Sequence, residues 1–231
     1  MELKSKFKKL FEKVPLPYWG LISIIILAIG CIIPSIAYTG TKGESYSFLN
    51  HAISELGELG VSELAILFNI CLIIGGSFAF IAFLGLAFYI DNKVALVAGI
   101  IGAVSSVGGV LVGFFPMNYL IPHYFAAMTF FFGGMLTVAI FSISIVLDKD
   151  KKIHWIFSVL GFVVVVFFAL FLFYPYGESS FRGAFGTLGE LFYQRPDFLL
   201  PFFFEWMTLI TIMIWVGILS IVFIIQDINF S

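Results

Sequence analysis

Six stretches of this chain run for about twenty residues or more with almost no charge, and short polar segments separate them. They lie at about 18–38, 64–90, 94–115, 124–147, 153–174 and 201–225. Roughly 30 Å of hydrocarbon needs about twenty residues at about 1.5 Å per residue. Each stretch is long enough. A lone segment in lipid must satisfy its own backbone hydrogen bonds, so each is expected to be helical. The pattern therefore predicts an all-α, polytopic membrane helix bundle with six transmembrane helices. One domain covers 18–225, preceded by a basic arm at 1–17 and followed by a short tail at 226–231. The first stretch has a rival reading as a cleaved signal peptide, with Ser35-Ile36-Ala37 as the cleavage site. Its apolar core exceeds the roughly 7–15 residues of such peptides, which favours a retained anchor.

Composition narrows the class further. Of 231 residues, 61% are hydrophobic and 11% are charged, and the mean hydropathy is +1.10. A water-soluble domain carries about a quarter charged residues. Membrane lipids are the expected surroundings and partners. A net charge of -2 offers nothing for nucleic acid to bind. No cofactor and no particular protein partner is indicated. Cys31 and Cys71 lie inside apolar runs and read as small core residues.

Charge placement sets the orientation. Lys4, Lys6, Lys8, Lys9, Lys13, Lys93, Lys149, Lys151 and Lys152 fall on one side, and only Lys42, Arg182 and Arg195 on the other. By the positive-inside rule this predicts both termini in the cytoplasm of a multi-pass cell-membrane protein. The basic arm is either a plain topology signal or a contact for anionic lipid. Inner loops are minimal, at 91–93 and 148–152, whereas outer loops at 39–63 and 175–200 are long. Function concentrates in such loops when a rigid scaffold carries them. In the third span Ala98, Gly102, Ser106, Gly109 and Gly113 place small residues on one face, a surface for close helix contact. Gly75-Gly76 and Gly133-Gly134 are its expected partners.

The candidate chemistry gathers on the outer side. Residues 47–60 read as a short interfacial helix capped by Ser47 and ended by Gly57 or Gly60. Phe48, Ala52, Leu56 and Leu59 form its apolar stripe, and His51, Glu55 and Glu58 share another face. His51 with Glu55 is then either a general acid/base pair, two legs of a metal site, or an ordinary solvated face. His123 sits at the outer mouth after a short hairpin and is the remaining candidate for catalysis or metal ligation. In the last outer loop Phe181, Phe185, Leu188 and Phe192 suggest a second interfacial helix. Glu205, beside Trp206, enters the sixth span, and Asn69 lies inside the second. Arg182 or Arg195 either grips a phosphate head group or pairs with Glu190 or Glu205. No zinc-protease, nucleotide-binding-loop or serine-nucleophile motif is present.

Asn50-His51-Ala52-Ile53-Ser54-Glu55-Leu56-Gly57, then Phe68-Asn69, then Gly113-Phe114-Phe115-Pro116 and His123, resembles the family catalogued as domain of unknown function 998. Its members are six-span prokaryotic membrane proteins, and the likeness covers Trp19 to the sixth span. It implies that His51, Ser54, Glu55, Gly57, Pro116 and His123 belong to one outward-facing site. Ile53-Ser54-Glu55-Leu56-Gly57 is also distantly similar to the Ile-Ser-Asp-x-Gly element of the Frag/DRAM/Sfk group, with Glu55 in place of Asp. Some of that group are implicated in lipid-anchor remodelling. Two function classes follow. One is a site that binds or processes a lipid head group, with His51 or His123 as base, Glu55 orienting it, and Ser54, Asn69, Glu205 and an arginine as contacts. The other is a non-enzymatic transporter, sensor or assembly factor whose outer loops bind a partner.

Overall fold

The computed structural model describes residues 2–174 and 195–227. Among the described residues there are seven α-helices: α1 (Glu2–Lys13), α2 (Leu16–Ala37), α3 (Ala65–Ile90), α4 (Lys93–Phe114), α5 (Leu120–Leu147), α6 (Ile156–Phe173) and α7 (Leu200–Ile225). The last six are long and apolar enough to cross a membrane, with mean hydropathy between 2.2 and 3.0 over their most apolar windows. The fifth helix begins earlier than its apolar run suggests. Pro122 sits in its first turn, where a missing backbone N–H costs nothing because that donor has no helical acceptor.

Consecutive spans pack side by side from α2 through α7, and α7 returns to α2 to close a ring. Most seams carry an interhelical hydrogen bond from a small or aromatic side chain to a backbone carbonyl. Ser23 donates to Gly75 O (2.8 Å) between α2 and α3, and Ser105 to Phe130 O (2.8 Å) between α4 and α5. Ser158 donates to Ser142 O (2.8 Å) between α5 and α6, and Trp215 to Phe157 O (2.8 Å) between α6 and α7. The small face of α4 is used as its spacing predicts. A Cβ on Gly76 would come within 3.2 Å of Ser106 O, and one on Gly133 within 3.1 Å of Ser105 Cα. Gly75 faces away from α4, toward Leu27, and Gly134 lies between Phe168 and Ser105 of α4. The α2–α7 seam is equally close, since a Cβ on Gly20 would touch Ser220 Oγ at 2.5 Å.

The ring has two ends. The basal end carries the termini. There the expected basic arm is a helix: Phe11 is buried against Gly85 and Leu16, and the Phe7 ring meets Phe88 at 5.3 Å. Lys6, Lys9 and Lys13 on α1 stay exposed. Asn92 Oδ1 accepts the Ala95 N–H (2.8 Å) and starts α4. Lys152 Nζ donates to Tyr89 O (3.1 Å) and Ile90 O (3.2 Å), closing the C-terminus of α3. The distal end carries the connector between α2 and α3, the 115–119 hairpin and the entry to α7.

Candidate functional site

Residues 47–60 do not form the expected surface helix. The chain makes a turn in which Ser47 O accepts the N–H groups of Asn50 (3.1 Å) and His51 (2.9 Å), followed by a five-residue 3-10 helix, Ile53–Gly57. Ser47 Oγ serves this turn, accepting the Leu49 N–H at 3.3 Å. The stripe is split as well. Ala52 and Leu56 are buried, whereas Phe48 and Leu59 are 53% and 43% exposed. The segment dips into the ring and plugs its distal end. Gly57 shows how tightly it fits: a Cβ there would run into Asn69 Oδ1 and lie 2.7 Å from the Phe68 ring.

Glu55 is the centre of the plug, 2% exposed. Its Oε1 accepts the Ala52 N–H at 2.7 Å, bending back over its own turn. Arg195 grips both oxygens, with Nη1 at 3.2 Å and Nη2 at 2.8 Å. Arg195 Nη1 also donates to Asn50 O (2.7 Å), Asn50 Nδ2 to Pro196 O (2.8 Å), and Leu199 N to Leu49 O (2.8 Å). This two-pronged ion pair with Glu55 stands where an Arg195–Glu205 pair was expected. Burial pushes the Glu55 carboxyl above its ordinary range, and the guanidinium and the Ala52 N–H pull it the other way.

His51 is 1% exposed and packs against Tyr46 (4.8 Å between ring centres) and Tyr38 (5.4 Å). Asn50 gives its amide N–H to Pro196, so its Oδ1 faces His51 Nδ1 at 2.7 Å, and Nδ1 carries the proton. Nε2 is then a buried acceptor without a hydrogen bond. Burial, followed by the charge of Arg195, lowers the His51 pKa to about 4, so the ring is neutral at pH 7. Tyr46 donates to Ala52 O (2.8 Å) and accepts from Trp206 Nε1 (3.1 Å), and burial raises its hydroxyl pKa well above 10.0.

Several expected pairings do not form. No hydrogen bond joins His51 to Glu55, and among the described residues no three His, Cys, Asp or Glu side chains are grouped to hold a metal ion. The acid/base pair and the His51–Glu55–His123 metal site are therefore corrected. A wall of packed aromatic rings isolates His51, and Arg195 occupies Glu55. Asn69 Nδ2 donates to Gly57 O (2.9 Å), so this residue anchors the plug. Arg182, Glu178 and Glu190, with the second expected interfacial helix, lie outside the described residues.

Ser54, His123 and Glu205 do come together, as part of the lining of one cleft. The cleft has a cavity volume of about 160 Å³ and touches α2, α3, α4, α5 and α7. On α7 its lining runs from Glu205 to Phe223, about 27 Å at the helical rise. Most of that lining is aliphatic or aromatic. Ser23, Ser105 and Ser106 on its wall spend their hydroxyls on carbonyls. The distal end differs. Glu205, 8% exposed, accepts only the Ile53 N–H there, through Oε2 at 3.2 Å. His123 Nδ1 lies 2.8 Å from Phe115 O and must donate to it, which leaves Nε2 as an acceptor.

Sequence reasoning missed Tyr38, Tyr46, Asn50, Trp206 and Asn118. Asn118 bonds both backbone groups of Leu59, accepting its N–H (2.8 Å) and donating to its carbonyl (3.0 Å). A lone asparagine in a short hairpin was the only signal for it. No curated protein and no solved structure matches the chain. The likeness to the Frag/DRAM/Sfk group is not shown by these comparisons. Residues 25–222 match the family described as Protein of unknown function (DUF998). With most of its length matched, and with the plug, the hairpin and most of the cleft lining inside that range, this chain belongs to the DUF998 family.

Proposed function

We propose that this protein binds a membrane lipid in the cleft, with the hydrocarbon chain along the ring axis and the head group at the distal end. One observation carries the reading: a slot about 27 Å long is mostly apolar along its length, its other lining polar residues are serines, and its two ionisable residues, His123 and Glu205, lie with Ser54 at the distal end. That distribution mirrors an amphiphile. Water gains little from filling an apolar slot, because a buried water needs two to four polar partners. The slot also spans most of the roughly 30 Å thickness of a bilayer's hydrocarbon core. In this reading Glu55 and Arg195 build the distal wall and do not touch the ligand.

The test is native mass spectrometry of the full chain released gently from detergent. A lipid-sized adduct is expected on the parent protein. Ala79→Phe, which fills the cleft midway along α3, is expected to lose the adduct and keep its thermal stability. A bare parent protein, or an adduct unaffected by Ala79→Phe, argues for the other class, in which the distal loops serve a protein partner.

A further inference from the structure

We infer that the head group held at the distal end of the cleft is a hydrogen-bond donor, a hydroxyl or an ammonium, and carries no phosphate. This deepens the lipid-binding reading and rests on it.

The inference comes from what the cleft offers and where the nearby cation is spent. His123 Nε2 is an acceptor, because Nδ1–H is committed to Phe115 O at 2.8 Å. Glu205 uses one oxygen for the Ile53 N–H, and its second oxygen lies on the same lining. As a carboxylate that oxygen accepts, and an ammonium brought to it supplies both the donor and the counter-charge. Ser54 makes no hydrogen bond to the described residues and can accept as well. The His123 acceptor and the Glu205 charge both stay costly in an apolar slot until a donor reaches them. An anion would meet the opposite of what it needs. No lysine or arginine is among the described residues that line the cleft. Arg195, the residue expected to hold a phosphate, already holds Glu55 with two hydrogen bonds (3.2 and 2.8 Å) and Asn50 O with a third contact (2.7 Å). Both terminal nitrogens of this guanidinium are spent inside the protein, which takes away the end-on face a phosphate would use. The ion pair that looked like a head-group clamp is therefore the wall that keeps a phosphate out.

The experiment uses the full chain, delipidated in an amine-oxide detergent whose head donates no hydrogen bond at pH 8. Four probes of equal chain length compete in native mass spectrometry: a monoacylglycerol, an alkylamine, a lysophosphatidic acid and a plain alkane. The monoacylglycerol or the alkylamine is expected to outcompete the lysophosphatidic acid by about tenfold or more. Glu205→Gln keeps the shape and an acceptor oxygen. It is expected to weaken the alkylamine about tenfold and the monoacylglycerol less than threefold. His123→Ala is expected to weaken the monoacylglycerol by about fivefold or more. Thermal unfolding of each variant confirms that it is folded, and the alkane reports whether the slot is still open. Lysophosphatidic acid bound as well as the other heads overturns the inference and leaves lipid binding standing. So does parent-like binding of both donor probes by both folded variants. If none of the four probes binds the parent, lipid binding itself fails.

Discussion

The two ends of this ring handle polar groups in opposite ways. At the basal end polar side chains pair with backbone groups. Asn92 starts α4, Asp148 accepts the Lys152 N–H (2.9 Å), and Lys152 closes α3. At the distal end polar side chains also pair with one another, as with Glu55 and Arg195, 140 residues apart. Three buried polar atoms without a hydrogen bond, His51 Nε2, Ser62 Oγ and Asn69 Oδ1, belong to this end. Pairing with the backbone trims a bundle. Side-chain pairing with acceptors to spare builds a cavity.

That contrast is easiest to break at the ion pair. Glu55→Ala leaves Arg195 buried against an empty partner and is expected to cost about 3–5 kcal/mol, read as a lowered thermal midpoint in detergent. Retained stability would mean that the plug does not depend on the pair. Acidification should sharpen the same difference. His51 stays neutral in the fold down to about pH 4 but takes a proton near 6.5 when unfolded. Between those values the unfolded chain binds the proton that the fold refuses, so its contribution is complete above 6.5 and falls as pH drops toward 4. The loss is on the order of 2 kcal/mol by pH 5, and His51→Gln is expected to flatten that part of the stability profile. Asn118→Ala removes two hydrogen bonds to Leu59 and is expected to cost about 1–2 kcal/mol, with faster hydrogen exchange in the 58–62 loop. The smallest effect belongs to the basal end. Lys152→Ala, at a partly exposed site, is expected to change stability by less than about 1 kcal/mol. A larger loss there would erase the distinction.

The six spans were legible because hydrophobic run length is a local property that lipid reads directly. The small face of α4 was legible for the same reason. The connector was not. Residues 47–60 have helical spacing, but their fate depends on partners absent from any local window: Arg195, Glu205, Asn69 and Asn118. His51 and Glu55 were read as a pair on one helix face or as a solvated face, whereas in the structure both are buried and Arg195 holds Glu55. Glu205 showed its importance by its position alone, a carboxylate just inside a span.

The seam between the first and sixth spans also determines when the chamber comes into being. Five spans make only an arc, open to the surrounding bilayer along its whole height. The last one shuts it, where Gly20 meets Ser220. On the proposed lipid-binding reading, a lipid within the arc at that moment is enclosed without having to pass through a pore. Exchange afterwards requires that door to part sideways, so the occupant's dwell time should follow the tightness of one glycine contact.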